Sequence, residues 1–240
     1  MCDTCGCGEP DHGHTELFPP ENRRLVEVKQ SVLQENRDFA AVNRDYFRAR
    51  KITCINLVSS PGSGKTSLLE RSIRELKPLF PVAVIEGDQQ TSRDSERIGK
   101  TGVPAWQINT GLGCHLDAKM IHGVITSHPV PANSILFIEN VGNLVCPAMY
   151  DLGETKRAVI MSVTEGDDKP AKYPFMFHSS DICVINKMDL LPYVDFSIDQ
   201  AVHDLRHIKP EIGILYLSVK DGMGMEEWIK WIRNVHKATA

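Results

Sequence analysis

The chain has 240 residues, 42% of them hydrophobic and 24% charged, with a formal net charge of −4. That balance belongs to a globular protein with one substantial core and excludes a chain disordered throughout. The negative charge disfavours nucleic acid and anionic membranes as partners, since both reward basic surface. No apolar run approaches the ~20 residues of a membrane span, and no basic-then-apolar leader precedes the body, so a cytoplasmic location is expected.

Residues 1–20 read as a flexible tail. They open MCDTCGCGEPDHGHTE, which sets Cys2, Cys5 and Cys7 in CxxCxC spacing ahead of His12 and His14. The chain holds 7 cysteines, an odd number, and in a reducing compartment clustered thiols point to metal rather than to disulfides. A flexible run of ligands can wrap an ion without a preformed pocket and give it up again. Three thiolates and one nitrogen make the tetragonal set that Ni(II) favours. The chain's own amino group is the nearest nitrogen, with His12 and His14 as alternatives. Residues 21–50, free of proline and glycine, read as one long helix. Leu25, Val28, Val32, Phe39, Val42 and Tyr46 fall at helical spacing and predict an apolar stripe against the body of the protein; a dimer contact or a swinging arm for the tail is the alternative.

Residues 51–240 read as one α/β domain. The apolar runs ITCINLVSS, PVAVIEGD, ILFIENVGN, AVIMSVTEG, DICVINKMD and GILYLS alternate with helical patterns such as SLLERSIREL, DQAVHDLRHI and MEEWIKWIRNVH. Such alternation predicts a mainly parallel, doubly wound sheet with ligands at the carboxyl ends of its strands. The first run leads into Ser59-Ser60-Pro61-Gly62-Ser63-Gly64-Lys65-Thr66-Ser67. This is the phosphate-binding GxxxxGK[ST] motif, except that Ser59 replaces its first glycine. Gly62, Ser63, Gly64 and Ser67 belong to the backbone cradle; Lys65 is assigned to the β- and γ-phosphates and the Thr66 hydroxyl to Mg²⁺. Asn186-Lys187-Met188-Asp189 is the guanine-reading NKxD pattern. The Asp189 carboxylate accepts both N1–H and the exocyclic amine of guanine, whereas adenine would leave it half paired. Ser218, Val219 and Lys220, at the end of GILYLS, occupy the place of the loop that meets guanine O6. Asp88 and Glu139 are the strand-end acids available to magnesium and water. Gly142 is placed to offer its N–H to the γ-phosphate. With no strong general base in view and no arginine finger to identify, slow intrinsic GTP hydrolysis is expected.

A second ligand set lies inside the domain. Cys114 and His115 adjoin in a loop at a helix start, and Cys146 follows Gly142 by four residues. Two thiolates and an imidazole suit Zn²⁺ or Ni²⁺, with a fourth ligand from water, the tail or a second chain. Cys54 and Cys183, inside apolar strands, read as structural.

The phosphate loop, EGDQQT, ENVGN, NKMD, the Cys-His/Cys set and the leading cysteines together resemble the HypB family, the hydrogenase-maturation GTPases that serve nickel insertion. The resemblance spans essentially the whole chain. It implies a P-loop GTPase of the SIMIBI class that binds nickel or zinc and forms a homodimer promoted by nucleotide or metal. It also implies HypA-type and SlyD-type metallochaperones as partners, and the [NiFe]-hydrogenase large-subunit precursor as client. Position by position, Cys2, Cys5 and Cys7 match the family's tight nickel motif, and Cys114, His115 and Cys146 match its GTPase-domain metal site. The long histidine-rich stretch of some relatives is reduced here to His12 and His14, which disfavours nickel storage. The alternatives are the same fold serving another metalloenzyme such as urease, or a nickel or zinc storage module. Acetylating the terminal amine is expected to weaken nickel binding and alter its absorption spectrum; unchanged behaviour would exclude that nitrogen as a ligand.

Overall fold

The computed structural model describes residues 20–88, 97–111 and 113–239, with side chains from residue 30 onward. Cys2, Cys5, Cys7, His12 and His14 therefore lie outside the described residues. Seven strands form one sheet: β1 (Thr53–Ser59), β2 (Val82–Asp88), β3 (Ala105–Asn109), β4 (Ile135–Gly142), β5 (Lys156–Ser162), β6 (Ile182–Asn186) and β7 (Gly213–Tyr216). Their order is β3-β2-β4-β1-β5-β6-β7, and every pairing is parallel. The central strands are apolar along most of their length because helices cover both faces. Six of the seven answer to apolar runs in the sequence. The seventh, β3, was not anticipated: AWQIN is short and partly exposed at the sheet edge, so it lacks the continuous apolar signal of a buried strand.

After β1 the chain moves outward through β2 and β3, returns to β4, then crosses β1 and runs outward the other way through β5 to β7. The crevice at such a reversal opens beyond the carboxyl end of the central strand, where the phosphate loop begins. Helices α2 (Lys65–Leu76) and α5 (Met225–Thr239) cover one face, packing Leu68, Ile73, Trp228 and Ile232 on Ile55, Leu57 and Phe137. The opposite face carries α1 (Pro20–Ala49) and α3 (Ala118–Ser127) over one half. Over the other half lie α4 (Ile198–Ile208) and the short helical turn Pro174–Ser179. Cys54 and Cys183 are fully buried in these two cores, and burial pushes both thiols well above their ordinary range. Among the described residues no helix is long and apolar enough to cross a membrane.

The helix expected over 21–50 is present, and its apolar stripe meets the body in part: Tyr46 packs on the core and Phe39 lies against His122, 5.4 Å between ring centroids. Val32 and Val42 are 45% and 50% exposed, whereas Asn36, Ala40, Asn43 and Phe47 are buried. The seam is polar and tight. Asn36 Nδ2 donates to Asp151 O (2.9 Å) and its Oδ1 accepts from Ala118 N (2.8 Å). Asn43 Nδ2 donates to Ala118 O (2.8 Å) and Leu152 O (3.1 Å). Gly153, at φ +84°, lies so close to α1 that a Cβ there would meet Ala40 O at 2.5 Å. Two amides thus satisfy backbone groups that a helix start and a loop would otherwise leave unpaired, and periodicity of apolar residues cannot report such a face. Replacing Asn43 by Ala removes the donor shared by the Ala118 and Leu152 carbonyls, so Asn43→Ala is expected to cost about 1–3 kcal/mol in chemical denaturation, against a surface control such as Val42→Ala near zero.

Candidate nucleotide and metal site

A cleft of about 430 Å³ at the end of β1 is lined by residues 59–67 together with Asp88, Arg97, Val141 and Gly142. The loop turns through Gly62 at φ +80° and Gly64 at φ +94°. Gly64 is doubly constrained, since a Cβ would stand 2.5 Å from Asn186 Nδ2. Helix α2 starts at Lys65 without a side-chain cap, which leaves its first N–H groups and positive dipole end for an anion. Ser59, in the place of the motif's first glycine, is buried and donates its hydroxyl to Ser60 O (2.8 Å).

Lys65 Nζ donates to Glu139 Oε1 (3.0 Å) and to Asn140 O (2.6 Å), and Thr66 Oγ1 donates to the same Glu139 oxygen (2.6 Å). Glu139 is almost wholly buried, and among the described residues its other oxygen has no hydrogen-bond partner. A hydroxyl beside a half-satisfied carboxylate fits a hard divalent cation such as Mg²⁺; Asp88 also lines this cleft. Ser67 accepts from Arg97 Nη2 (3.1 Å), and Arg97 pairs with Glu70 through Nε (3.3 Å) and Nη2 (2.8 Å). Arg97 is a cleft residue that sequence reasoning missed. It belongs to no motif, and only the folded chain brings it beside α2.

The residues of the NKMD turn are tied to the glycine-rich loop. Asn186 Nδ2 donates to Ser63 O (2.8 Å) and Lys187 Nζ to Gly62 O (2.7 Å). Lys187 takes a left-handed conformation, φ 62°, which ends β6 sharply and leads into the turn carrying Asp189. Ser218 Oγ donates to Asp189 Oδ1 (2.8 Å) and so fixes the carboxylate. Val219 O accepts from Arg71 Nη1 (2.6 Å). Lys220 is largely exposed, its Nζ 3.9 Å from Asp189, and at that distance it adds little.

Cys114, His115 and Cys146 converge: their ligand atoms all lie within 4.8 Å of one another, with Cys114 Sγ 3.7 Å from His115 Nδ1. The His115 ring lies over Tyr150 at 3.9 Å between centroids. Burial lowers the His115 pKa, opposed by Asp117, which favours the neutral imidazole a metal needs. The Cys146 thiol is pushed up, chiefly by its hydrogen bond with Cys114 and next by burial. Two sulfurs and a nitrogen suit Zn²⁺ or Ni²⁺ and leave a fourth position to another donor.

Short connections join the two sites. Asp88 O, at the cleft, accepts from Thr110 N (3.0 Å), and Thr110 closes the turn before Cys114 by accepting from Gly113 N (2.8 Å). Asp117 caps α3 through Met120 N (2.7 Å). On the other loop, Gly142 packs against Pro61, where a Cβ would be 3.2 Å away. Asn143 next accepts from Val145 N (2.8 Å) and donates to Cys114 O (3.5 Å). Cys146 then opens a 3₁₀ turn with Pro147 in its second position.

The profile described as "CobW/HypB/UreG, nucleotide-binding domain" matches residues 53–215. The chain is 51% identical over 223 residues to the hydrogenase maturation factor HypB of Escherichia coli K12, covering 92% of this chain and 77% of that protein. It is 40% identical to the hydrogenase/urease maturation factor HypB of Helicobacter pylori 26695, covering 88% of each. Among solved structures, HypB from Archaeoglobus fulgidus superposes with a TM-score of 0.79 at 38% identity, over 85% of this chain and 99% of that one. HypB from Helicobacter pylori in complex with nickel gives 0.79 at 39% identity, over 85% and 96%.

With a raised Cys146 thiol, a metal must displace a proton to bind here. Zn²⁺ affinity at this cluster, read by chelator competition in a chain with Cys2, Cys5 and Cys7 replaced by Ala, is therefore expected to strengthen from pH 6.5 to 8.5 with proton release. A pH-independent affinity would remove Cys146 from the ligand set.

Proposed function

The chain belongs to the CobW/HypB/UreG family and, within it, to the HypB maturation factors; from that membership we propose a GTP-hydrolysing metallochaperone that gates nickel delivery into a [NiFe]-hydrogenase precursor. The observation that carries the reading is the carboxyl end of β4. Within a few residues it supplies Glu139 to the Lys65–Thr66 pair, Gly142 to the phosphate loop, Asn143 to the Cys114 loop and Cys146 to the thiolate–imidazole cluster.

GTP is the substrate. The Asp189 carboxylate, held by Ser218, receives N1–H and the exocyclic amine of guanine, and Asn186 and Lys187 keep that reader at a fixed distance from the phosphate loop. When phosphates enter, Lys65 exchanges Glu139 and Asn140 O for phosphate oxygens. Thr66, with Glu139 and Asp88 lining the same cleft, would hold Mg²⁺, which would supply charge neutralisation at the γ-phosphate. Turnover is slow, because among the described residues none in the cleft stands out as a strong general base. Gly142 N–H follows the γ-phosphate, and the loop behind it carries Asn143 and Cys146. Nucleotide state and metal affinity are then linked, and the linkage is reciprocal.

Nickel is the cargo, with zinc the competing ion at Cys114, His115 and Cys146. The CxxCxC tail of Cys2, Cys5 and Cys7 binds nickel tightly and exchanges it with the domain site or with HypA-type and SlyD-type metallochaperones. The fourth ligand comes from water, from the tail or from a second copy of the chain recruited by nucleotide or metal. The work is done in the cytoplasm. A urease client is the second reading, favoured by the Helicobacter pylori relative whose name joins hydrogenase and urease.

Two measurements test this reading. Asp189→Asn offers an amide donor where guanine presents its own, so GTP affinity is expected to fall by about tenfold or more, roughly 1.4 kcal/mol per decade, while xanthosine triphosphate affinity rises; undiminished GTP binding would overturn the guanine assignment. Metal affinity at the domain cluster is expected to differ by about fivefold or more between the GDP and GTP-analogue states, and equal affinities would overturn the gating role.

A further inference from the structure

Beneath the sheet's surface a chain of buried polar side chains connects Lys65 to both ligand-bearing loops. The Asn140 carbonyl accepts from Lys65 Nζ (2.6 Å). The Asn140 side chain accepts from Val141 N (3.0 Å) and from Leu116 N (3.3 Å), the residue after His115. Its Nδ2 donates to Asn56 Oδ1 (3.4 Å), and Asn56 Nδ2 donates to Glu154 Oε1 (3.1 Å). Arg157 clasps the same Glu154 oxygen through Nε (2.8 Å) and Nη2 (2.7 Å). It then donates from Nη1 to Pro147 O (3.3 Å), the residue after Cys146, and from Nη2 to Tyr150 O (2.7 Å), beneath His115. Asn56 and Asn140 are fully buried and Arg157 nearly so.

A buried ion pair of this kind is no bargain for stability. Its desolvation offsets most of its attraction, and apolar residues of equal volume do as well or better. What it provides is position. The donor fork of Arg157 fixes two carbonyls of the Cys146–Tyr150 turn at once, which a single ammonium cannot do. The Asn140 carboxamide likewise fixes the backbone immediately after His115. The end of the chain at the cleft is bistable, because Lys65 can serve either Asn140 O or a phosphate, and nucleotide binding removes it from the former.

We propose that Asn140, Asn56, Glu154 and Arg157 act as positioning residues: a buried relay through which nucleotide binding at Lys65 resets the spacing of Cys114–His115 relative to Cys146. This rests on the gating role proposed above and names an interior route for it, distinct from the surface loop through Gly142 and Asn143. None of the four residues is a metal ligand or a base reader, so their replacement separates coupling from binding.

The test uses the full chain with Cys2, Cys5 and Cys7 replaced by Ala, and Zn²⁺ as the probe. Zn²⁺ affinity is measured with Mg·GDP and with a non-hydrolysable Mg·GTP analogue, in that parent and in two further variants. Asn56→Leu cuts the relay at its centre while leaving both loops' backbone contacts in place. Arg157→Lys keeps the charge opposite Glu154 but cannot hold both carbonyls. In each variant the ratio between nucleotide states is expected to fall from about fivefold or more to below about twofold, with GDP affinity within about twofold of the parent. A parent ratio of one would overturn the gating role and the relay together. A parent ratio retained by a folded variant would overturn the relay alone. The side-chain amide resonances of Asn56 and Asn140, in the chain without those two variants, give a reading independent of variant folding. They are expected to shift between the two nucleotide states, and unmoved resonances would likewise overturn the relay.

Discussion

The architecture turns on one ammonium group. Lys65 holds Glu139 and the Asn140 carbonyl, and so binds the first turn of α2 to the carboxyl end of β4. Every other element of the site is referenced to that contact. Pro61 packs on Gly142, Thr66 shares the Glu139 oxygen, and the Asn140 side chain faces the opposite side of the sheet towards Leu116. A partly buried cation with alternative partners is a natural switching element. Its loss from one partner is costly unless an equivalent charge replaces it, and an incoming phosphate brings its own negative charge.

The soft-ligand cluster has a complementary character. Its sulfurs and imidazole sit on two segments outside the sheet. Each is held by hydrogen bonds from side chains elsewhere: Asn143 to Cys114 O, Arg157 to Pro147 O and Tyr150 O, Asn36 to Ala118 N and Asp151 O. Three ligands at the rim of a domain, with spacing set by such braces, form a site whose grip depends on the arrangement of its neighbours.

Helix α1 shares in this arrangement. It carries the cysteine-bearing tail in sequence, and its docking seam grips Ala118, just after the His115 loop, and Asp151 and Leu152, just after the Cys146 turn. The asparagines on that seam meet partners 75 to 115 residues away. Polar residues in a charged helix read as solvent-facing unless such partners are known, which is why Asn36 and Asn43 escaped the expectation although they share the contact with Phe39 and Tyr46.

The sequence by itself determined whatever is encoded in contiguous residues. The phosphate loop, the NKMD turn and the long apolar strands are local, because backbone conformation, ligand chemistry and burial are specified there by neighbours along the chain. It also marked Cys114, His115 and Cys146 as metal-ligand types. Tertiary structure alone decided that these three share one point in space, because β4 returns to lie between β1 and β2 and delivers Cys146 beside the loop that follows β3. It decided as well that Arg97 lines the phosphate cleft, that AWQIN forms an edge strand, and that Asn56, Asn140, Glu154 and Arg157 meet beneath the sheet. Polar pairing across the fold carries no periodicity and no motif; it exists only once the strands are in register.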